Sequence, residues 1–516
     1  MKSAQRANHT FAKTPAIKIN RSSFNRDHSY KTAFNSGDLI PIFLDEALPG
    51  DTFNLNMTGF ARMATPIYPL MDNLYMETFF FFIPNRLVWD NWQKFMGEQI
   101  DPGDSIDFTI PTISAQPVST LNTIWDYMGI PTDVTFSMNV NALPFRAYNL
   151  VYNEWFRDQN LQDSITVDKD DGPDTAGNYV LRKRGKRHDY FTSALIAPQK
   201  GESVVMPLGD RADVASDTIV GNQTPVYNTL DSLYHMIDTS GGTATVDIVS
   251  TSNPANALYA DLSTATAATI NQLRQAFQVQ KLLEMDARGG TRYVEIIKSH
   301  FGVTSPDQRL QRPEFLGGGS SPINISAVAQ TSSTDATSPQ GNLSATGTAN
   351  LHNHGFTKSF TEHGYVLGLI NVRADLGYQQ GMNKLWSRET RYDFYFPALS
   401  IIGEQAILNR EIFADGGTGD DTVFGYQERY AEYRYKPSMV TGILRSNAAG
   451  TLDAWHLAQD FASAPTLSSA FIEDSPPVNR VIAVQTQPEF IFDSFIKLQC
   501  ARPMPVYGIP GGMDRF

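Results

Sequence analysis

The chain has 516 residues, a formal net charge of −13 and one cysteine, so no intrachain disulfide can form, which fits a reducing compartment. No apolar run reaches eighteen residues and no apolar h-region follows Lys2 and Arg6, so neither a membrane-spanning helix nor a secretory signal is expected. Charged residues are only 18% while 31 Phe and 21 Tyr are present, a balance that favours strands and large surfaces buried against partners.

In chain order, residues 1–31 come first, with Lys2, Arg6, Lys13, Lys18, Arg21, Arg26 and Lys31 set against Asp27 alone. A polar, basic, aperiodic stretch on an acidic body reads as a mobile arm suited to phosphate, or as a solvated tail. Strand candidates follow at Leu39–Leu44, at Phe53, Leu55 and Met57 alternating with Asn54, Asn56 and Thr58, and at Leu74–Ile83. Phe145, Tyr148, Tyr152 and Trp155 recur at helical spacing. The run Arg182, Lys183, Arg184, Lys186, Arg187 needs an anion or solvent. DNA, an acidic face of a neighbouring subunit and an exposed loop are the readings.

Residues 201–270 reverse the charge, with eight acids against Arg211, and are rich in Thr, Ser, Gly and Asn. They read as a surface excursion. Ile270, Leu273, Phe277 and Leu282-Leu283 predict a helix stopped by Gly289-Gly290. The Ser/Thr/Gly/Ala/Asn-rich stretch 317–350, opening on Gly317-Gly318-Gly319, reads as a long loop able to drape over a neighbour. Further strands are predicted at Tyr365–Val372, Arg391–Phe396, Arg480–Val484 and Phe495–Cys500, with a helix over Glu404–Phe413. Alternation puts Ile496, Leu498 and Cys500 on one face, making Cys500 a buried structural thiol rather than a nucleophile.

Catalytic and metal patterns are weak. His352, His354 and His363 lack a companion ligand set with zinc spacing. Glu428 and Glu432 could in principle flank a sugar. Yet Arg429 and Arg434 lie beside them, and the alternation of Tyr with charge from Tyr426 to Tyr435 suits a subunit interface built on Tyr426, Glu428, Arg429, Glu432 and Arg434. Arg288-Gly289-Gly290-Thr291-Arg292 lacks phosphate-loop spacing, and no nucleophile elbow occurs.

Many separate stretches carry one resemblance. They include Tyr148–Asn160, Leu181–Gln199, Phe277–Leu316, Thr361–Tyr365, Tyr392–Pro397, Tyr426–Pro437, Asp453–Leu457 and Met504–Gly511. Together they resemble the major capsid proteins of microviruses, small tailless single-stranded-DNA bacteriophages, in the gokushovirus branch. The resemblance implies a mainly β fold, the viral jelly roll. This is an eight-stranded antiparallel β-barrel with long inter-strand loops, a few helices and one large surface insertion. It implies no enzyme and no cofactor, but sixty copies in a T=1 shell around circular single-stranded DNA. The implied partners are the chain itself, the genome, a small basic DNA-packaging protein, a minor pilot capsid protein, an internal scaffolding protein and a host surface receptor. Virion and, during assembly, host cytoplasm are the expected locations. The expected organisation is a lumen-facing arm at 1–31 and jelly roll at 32–204. An acidic threefold protrusion follows at 205–262, and jelly roll again at 263–516. Two other classes remain open on residues alone: a secreted glycan-binding β-sandwich and a carbohydrate-active enzyme.

Overall fold

The computed structural model describes residues 20–507 except 116–120, 133–137, 203, 205–212, 217–222, 229–232, 239–244, 251–257, 262–269, 333 and 335–338. The chain forms two compact units, residues 1–198 with 291–516, and 199–290.

The larger unit begins with β1 (Ser22–Asn25), β2 (His28–Phe34), β3 (Ile40–Ala47), β4 (Thr52–Met63) and β5 (Leu74–Pro84). A long excursion follows, carrying the hairpin β6 (Thr112–Ala115) and β7 (Met138–Asn141) and the helix Leu143–Val151, which a π-helical turn continues over Tyr152–Phe156. The smaller unit interrupts this excursion. Its described strands are β8 (Asp213–Ser216), β9 (Gln223–Asn228), β10 (Leu233–Asp238), β11 (Thr245–Ser250) and β12 (Leu258–Asp261), and the helix Ile270–Arg288 closes it. β9, β10 and β11 form one antiparallel sheet and β8 pairs with β12, so the acidic stretch is strand-rich.

The larger unit resumes with the helix Tyr293–Phe301, β13 (Glu314–Ala329), β14 (Leu343–Ser359) and β15 (Gly364–Ala374). A second excursion carries the hairpin β16 (Glu404–Leu408) and β17 (Val423–Glu428), and β18 (Phe490–Arg502) ends the fold. Eight of these strands are the barrel. One sheet runs β2-β18-β4-β14 and the other β3-β15-β5-β13, all antiparallel. In chain order these are strands 1-8-3-6 and 2-7-4-5, the double Greek key of a jelly roll. β13 joins the sheets: Glu314–Ile323 pair with β5, then Asn324–Ala329 pair with β14. β1 extends the edge of β18 that β2 occupies.

Burial explains why the two sheets read differently as sequence. The Leu74, Met76, Phe80 and Phe82 side chains of β5 and Val366, Ile370 and Val372 of β15 enter the barrel core. Phe81, Ile83, Tyr365, Leu367 and Leu369 point the other way, into a second core with Trp89, Trp125, Phe145 and Tyr148. Where they are covered on both faces, these strands run continuously apolar, over Phe79–Ile83 and Tyr365–Ile370. β4 and β18 alternate instead, because only one of their faces is buried. Phe490, Phe492, Ile496, Leu498 and Cys500 fill the barrel. Burying each large side chain contributes about 1.5–3 kcal/mol. Arg146, fully buried on the helix beneath the second core, ties it down through Asp174, the Val88 carbonyl (3.0 Å) and the Asp170 carbonyl (2.9 Å).

Four expectations from sequence are corrected. The stretch 317–350 is not a long loop, since most of it is β13 and β14. The glycines are there for close packing. A Cβ on Gly318 would lie 2.0 Å from the Thr78 carbonyl oxygen, and one on Gly319 would lie 2.4 Å from the His354 ring. Arg391–Phe396 finds no strand partner and forms a capped 3-10 turn at Arg391–Asp393. Arg480–Val484 follows Pro476-Pro477 and makes only a bridge between Ile482 and Pro66, after a 3-10 turn at Val478–Arg480. In Glu404–Phe413 the helix is confined to Asn409–Ile412, because β17 captures the first half as β16.

His354 marks where the sheets approach. A register shift between Leu351 and His354, with Asn353 at φ 59°, sends His352 out to solvent and His354 into the core. Its ring meets Thr78 Oγ1 at 2.8 Å and Ser321 Oγ at 3.1 Å, and burial pushes its pKa down. A depressed pKa means that this stability is present above the ordinary histidine range and is lost as pH falls through the folded value. His354→Leu strands two buried hydroxyls and should cost about 2 kcal/mol in urea denaturation at neutral pH. A neutral substitution would show the hydroxyls are satisfied without the ring.

Candidate assembly surfaces and nucleic-acid interface

Among the arm residues, Lys2, Arg6, Lys13 and Lys18 lie outside the described residues. Of the other three, Lys31 is on β2, Arg21 precedes β1 and Arg26 lies between the two strands. Arg21 donates to Thr52 Oγ1 at 2.7 Å and to the Ala501 carbonyl at 3.2 Å. Arg26 pairs with Asp45, and Lys31 with Asp493 at 3.0 Å. The segment read as a mobile arm is therefore two strands from Ser22 onward, β1 and the start of β2, where β18 offers them an open edge.

The basic run is answered by acids of the same chain. Glu77 accepts from Arg184 and from Arg373 at 2.9 Å, and pairs with Arg187 at 3.5 Å. Arg187 also pairs with Asp375 at 2.9 Å and lies over Tyr75. Burial pushes the Glu77 carboxyl up, but Arg184 and Arg373 outweigh it and hold the group below its ordinary value. Lys183 donates to Ser475 Oγ at 2.9 Å and lies 3.9 Å from Asp38. Lys186 is buried over the Phe471 ring, where burial lowers its pKa. Burial raises Asp38 and Asp474 to about 6 despite neighbouring cations. Arg182 packs inward, its amide donating to the Tyr148 hydroxyl at 3.0 Å.

The Tyr426–Arg434 segment is the support of a larger aromatic surface. Tyr426 bridges to Leu195 through the backbone. Glu428 pairs with Arg434, while Glu432 accepts from Gln405 at 2.6 Å and pairs with Arg388 at 3.5 Å. These two glutamates are thus held by cations and an amide, an arrangement for structure and not for acid–base chemistry. Tyr430, at φ 63°, gives its hydroxyl to the Tyr392 carbonyl at 3.0 Å, and Arg429 lies over its ring. The Arg388 guanidinium covers Phe394 and Tyr433, and Tyr395 meets Tyr430 and Tyr433 edge-on. The exposed side of this cluster escaped sequence reading. Trp386 is 74% exposed and Ile401 88%, and Phe394, Tyr395, Phe396 and Ile402 are exposed between and beside them. The density of aromatic residues from Trp386 to Phe396 was the available signal.

The open face of the β2-β18-β4-β14 sheet was also missed as a surface. Among the described residues no group of three or more His, Cys, Asp and Glu could hold a metal.

A family model described as "Capsid protein (F protein)" matches residues 12–512. Capsid protein VP1 of Bdellovibrio phage phiMH2K is 50% identical, covering 100% of this chain and 100% of its own. VP1 of Chlamydia phage 1 is 42% identical over 97% of each chain. VP1 of Spiroplasma virus 4 is 38% identical over 98% of this chain and 97% of its own.

Proposed function

Because the chain belongs to the capsid protein (F protein) family, we propose that sixty copies close into a T=1 icosahedral shell around a circular single-stranded DNA genome. Membership itself makes the chain a self-assembling structural component of a virion, not an enzyme, and the glycan-binding alternative is not favoured. The observation that carries the shell reading is the exposed aromatic surface around Trp386 and Tyr395, on a fold that already has three well-packed cores. Apolar surface of this kind on a folded chain marks a partner, and the family role makes that partner another copy. Each copy then meets several neighbours, and the Tyr426–Arg434 support braces one such contact.

The arm residues up to Lys18 meet the genome or the small basic packaging protein from inside, by sequence-independent electrostatics. Assembly takes place in the host cytoplasm with the internal scaffolding protein, and the pilot protein joins as a minor component. The acidic unit serves attachment to a host receptor from outside, as a threefold protrusion. Its acidity argues against a genome contact. Deleting 213–261 should leave shells of normal size that adsorb poorly to host cells, and loss of all shells would make the segment an assembly element. Negative-stain microscopy of particles from producing cells tests the whole reading. Uniform closed shells with nuclease-protected circular DNA are expected, and dispersed monomers would refute it.

A further inference from the structure

The β4 and β18 strands turn one face to the core and leave the other uncovered, whereas the opposite sheet has its outer face buried under the second core. The uncovered face has an unusual composition. Amide and hydroxyl side chains dominate it, with Asn54 and Asn56 on β4 set opposite Gln499 and Lys497. Within this polar field lie Phe60, 42% exposed, and Phe495, 45% exposed. Phe60 pairs directly with Asp493, so Phe495 is its diagonal neighbour, close enough for the two rings to make one platform. Arg62 and Lys497 lie toward opposite ends, six residues of strand apart in register, or roughly 20 Å. Both are exposed, and neither has an ion-pair partner among the described residues. The acid of the platform, Asp493, is neutralised by Lys31 on β2. A surface with excess positive charge is notable on a chain of net charge −13.

Two rings flanked by cations and surrounded by amides match one chemistry: unpaired bases stacked on aromatic side chains with phosphates on Arg and Lys. Arg21, next to the first described residue after the basic stretch 1–19, is fixed to Thr52 and Ala501 at one end of this sheet. The cations of that stretch therefore join the chain at the border of the platform.

We propose that this sheet face, centred on Phe60 and Phe495 and flanked by Arg62 and Lys497, binds single-stranded nucleic acid without sequence preference. The proposal rests on the genome-enclosing reading and names the surface of the folded domain that the genome touches. It makes the face line the lumen. Two variants test it, Arg62→Gln with Lys497→Gln, and Phe60→Thr with Phe495→Thr, the latter keeping strand-forming side chains on the exposed face. The readouts are nuclease-protected DNA per shell and the binding of full-length subunit to an oligothymidylate across a salt series. The charge variant should flatten the slope of log affinity against log salt by about 1.4, as two lost phosphate contacts require. The ring variant should weaken binding by roughly tenfold or more at one salt concentration. Protected DNA per shell should fall in both. Unchanged slope, affinity and DNA content overturn the proposal. So does a folded variant subunit that keeps its affinity but forms no shells, since the face is then a contact between copies. Wild-type shells without DNA would instead defeat the genome-enclosing reading, and the oligothymidylate titration would still judge the face.

Discussion

Replacing Trp386, Ile401 and Ile402 together with serine should give a folded, soluble subunit that no longer forms shells. All three side chains are largely in solvent, so their removal takes almost nothing from the three cores. At an interface the same atoms are worth far more. A buried Trp anchor contributes about 2 kcal/mol or more to a contact, and each 1.4 kcal/mol changes the association constant tenfold. Because every copy presents the patch, the loss is repeated around a closed shell. Far-UV circular dichroism and thermal unfolding of the subunit should match wild type, while sedimentation shows no particles. Normal particles from the triple variant would mean that the patch faces solvent or another partner.

Glu77→Gln should produce the largest loss of subunit stability. The wild-type carboxylate gathers Arg184, Arg187 and Arg373 on the outer side of β5. Asp375 holds Arg187 independently, but Arg184 and Arg373 face each other with Glu77 as their common ion-pair partner among the described residues. Burial, and then repulsion from Arg373, already lower the pKa of Arg184, to about 10. Removing one partner of a buried ionic group costs about 3–5 kcal/mol. The sign of the pH dependence follows from the depressed Glu77 pKa. Its stabilisation is fully present above the unfolded carboxyl value and is lost as pH falls through the lower folded value. The gap between wild type and variant in urea denaturation should therefore be widest near pH 7 and narrow on acidification. A constant gap would show that Glu77 acts through packing and not through charge.

The same cluster shows what the sequence could not carry. Five cations in six residues are plainly visible, but the acids that answer them, Glu77, Asp375 and Asp474, are distant in sequence and reach them only through the barrel. Local patterns did better where the physics is local. The alternation in β4 and β18 announced half-buried strands, and the aromatic spacing from Phe145 to Trp155 announced a helix. Gly317-Gly318-Gly319 misled because a glycine required by a close strand contact looks the same, in isolation, as one in a flexible loop. Arg391–Phe396 misled in the opposite sense: strand-like side chains lie on a segment that forms a 3-10 turn, with no partner strand among the described residues, and their rings stay about half exposed. The jelly-roll order of strands came from the resemblance, since no local signal says that β18 lies between β2 and β4.

The proposed shell closes through the aromatic surface of the second excursion. Cryo-electron microscopy of native particles tests it most directly. The expected result is sixty copies in one closed icosahedral shell, with Trp386, Ile401 and Ile402 buried against a neighbouring copy. A reconstruction in which those side chains face solvent, or in which the copies form no closed shell, would contradict it.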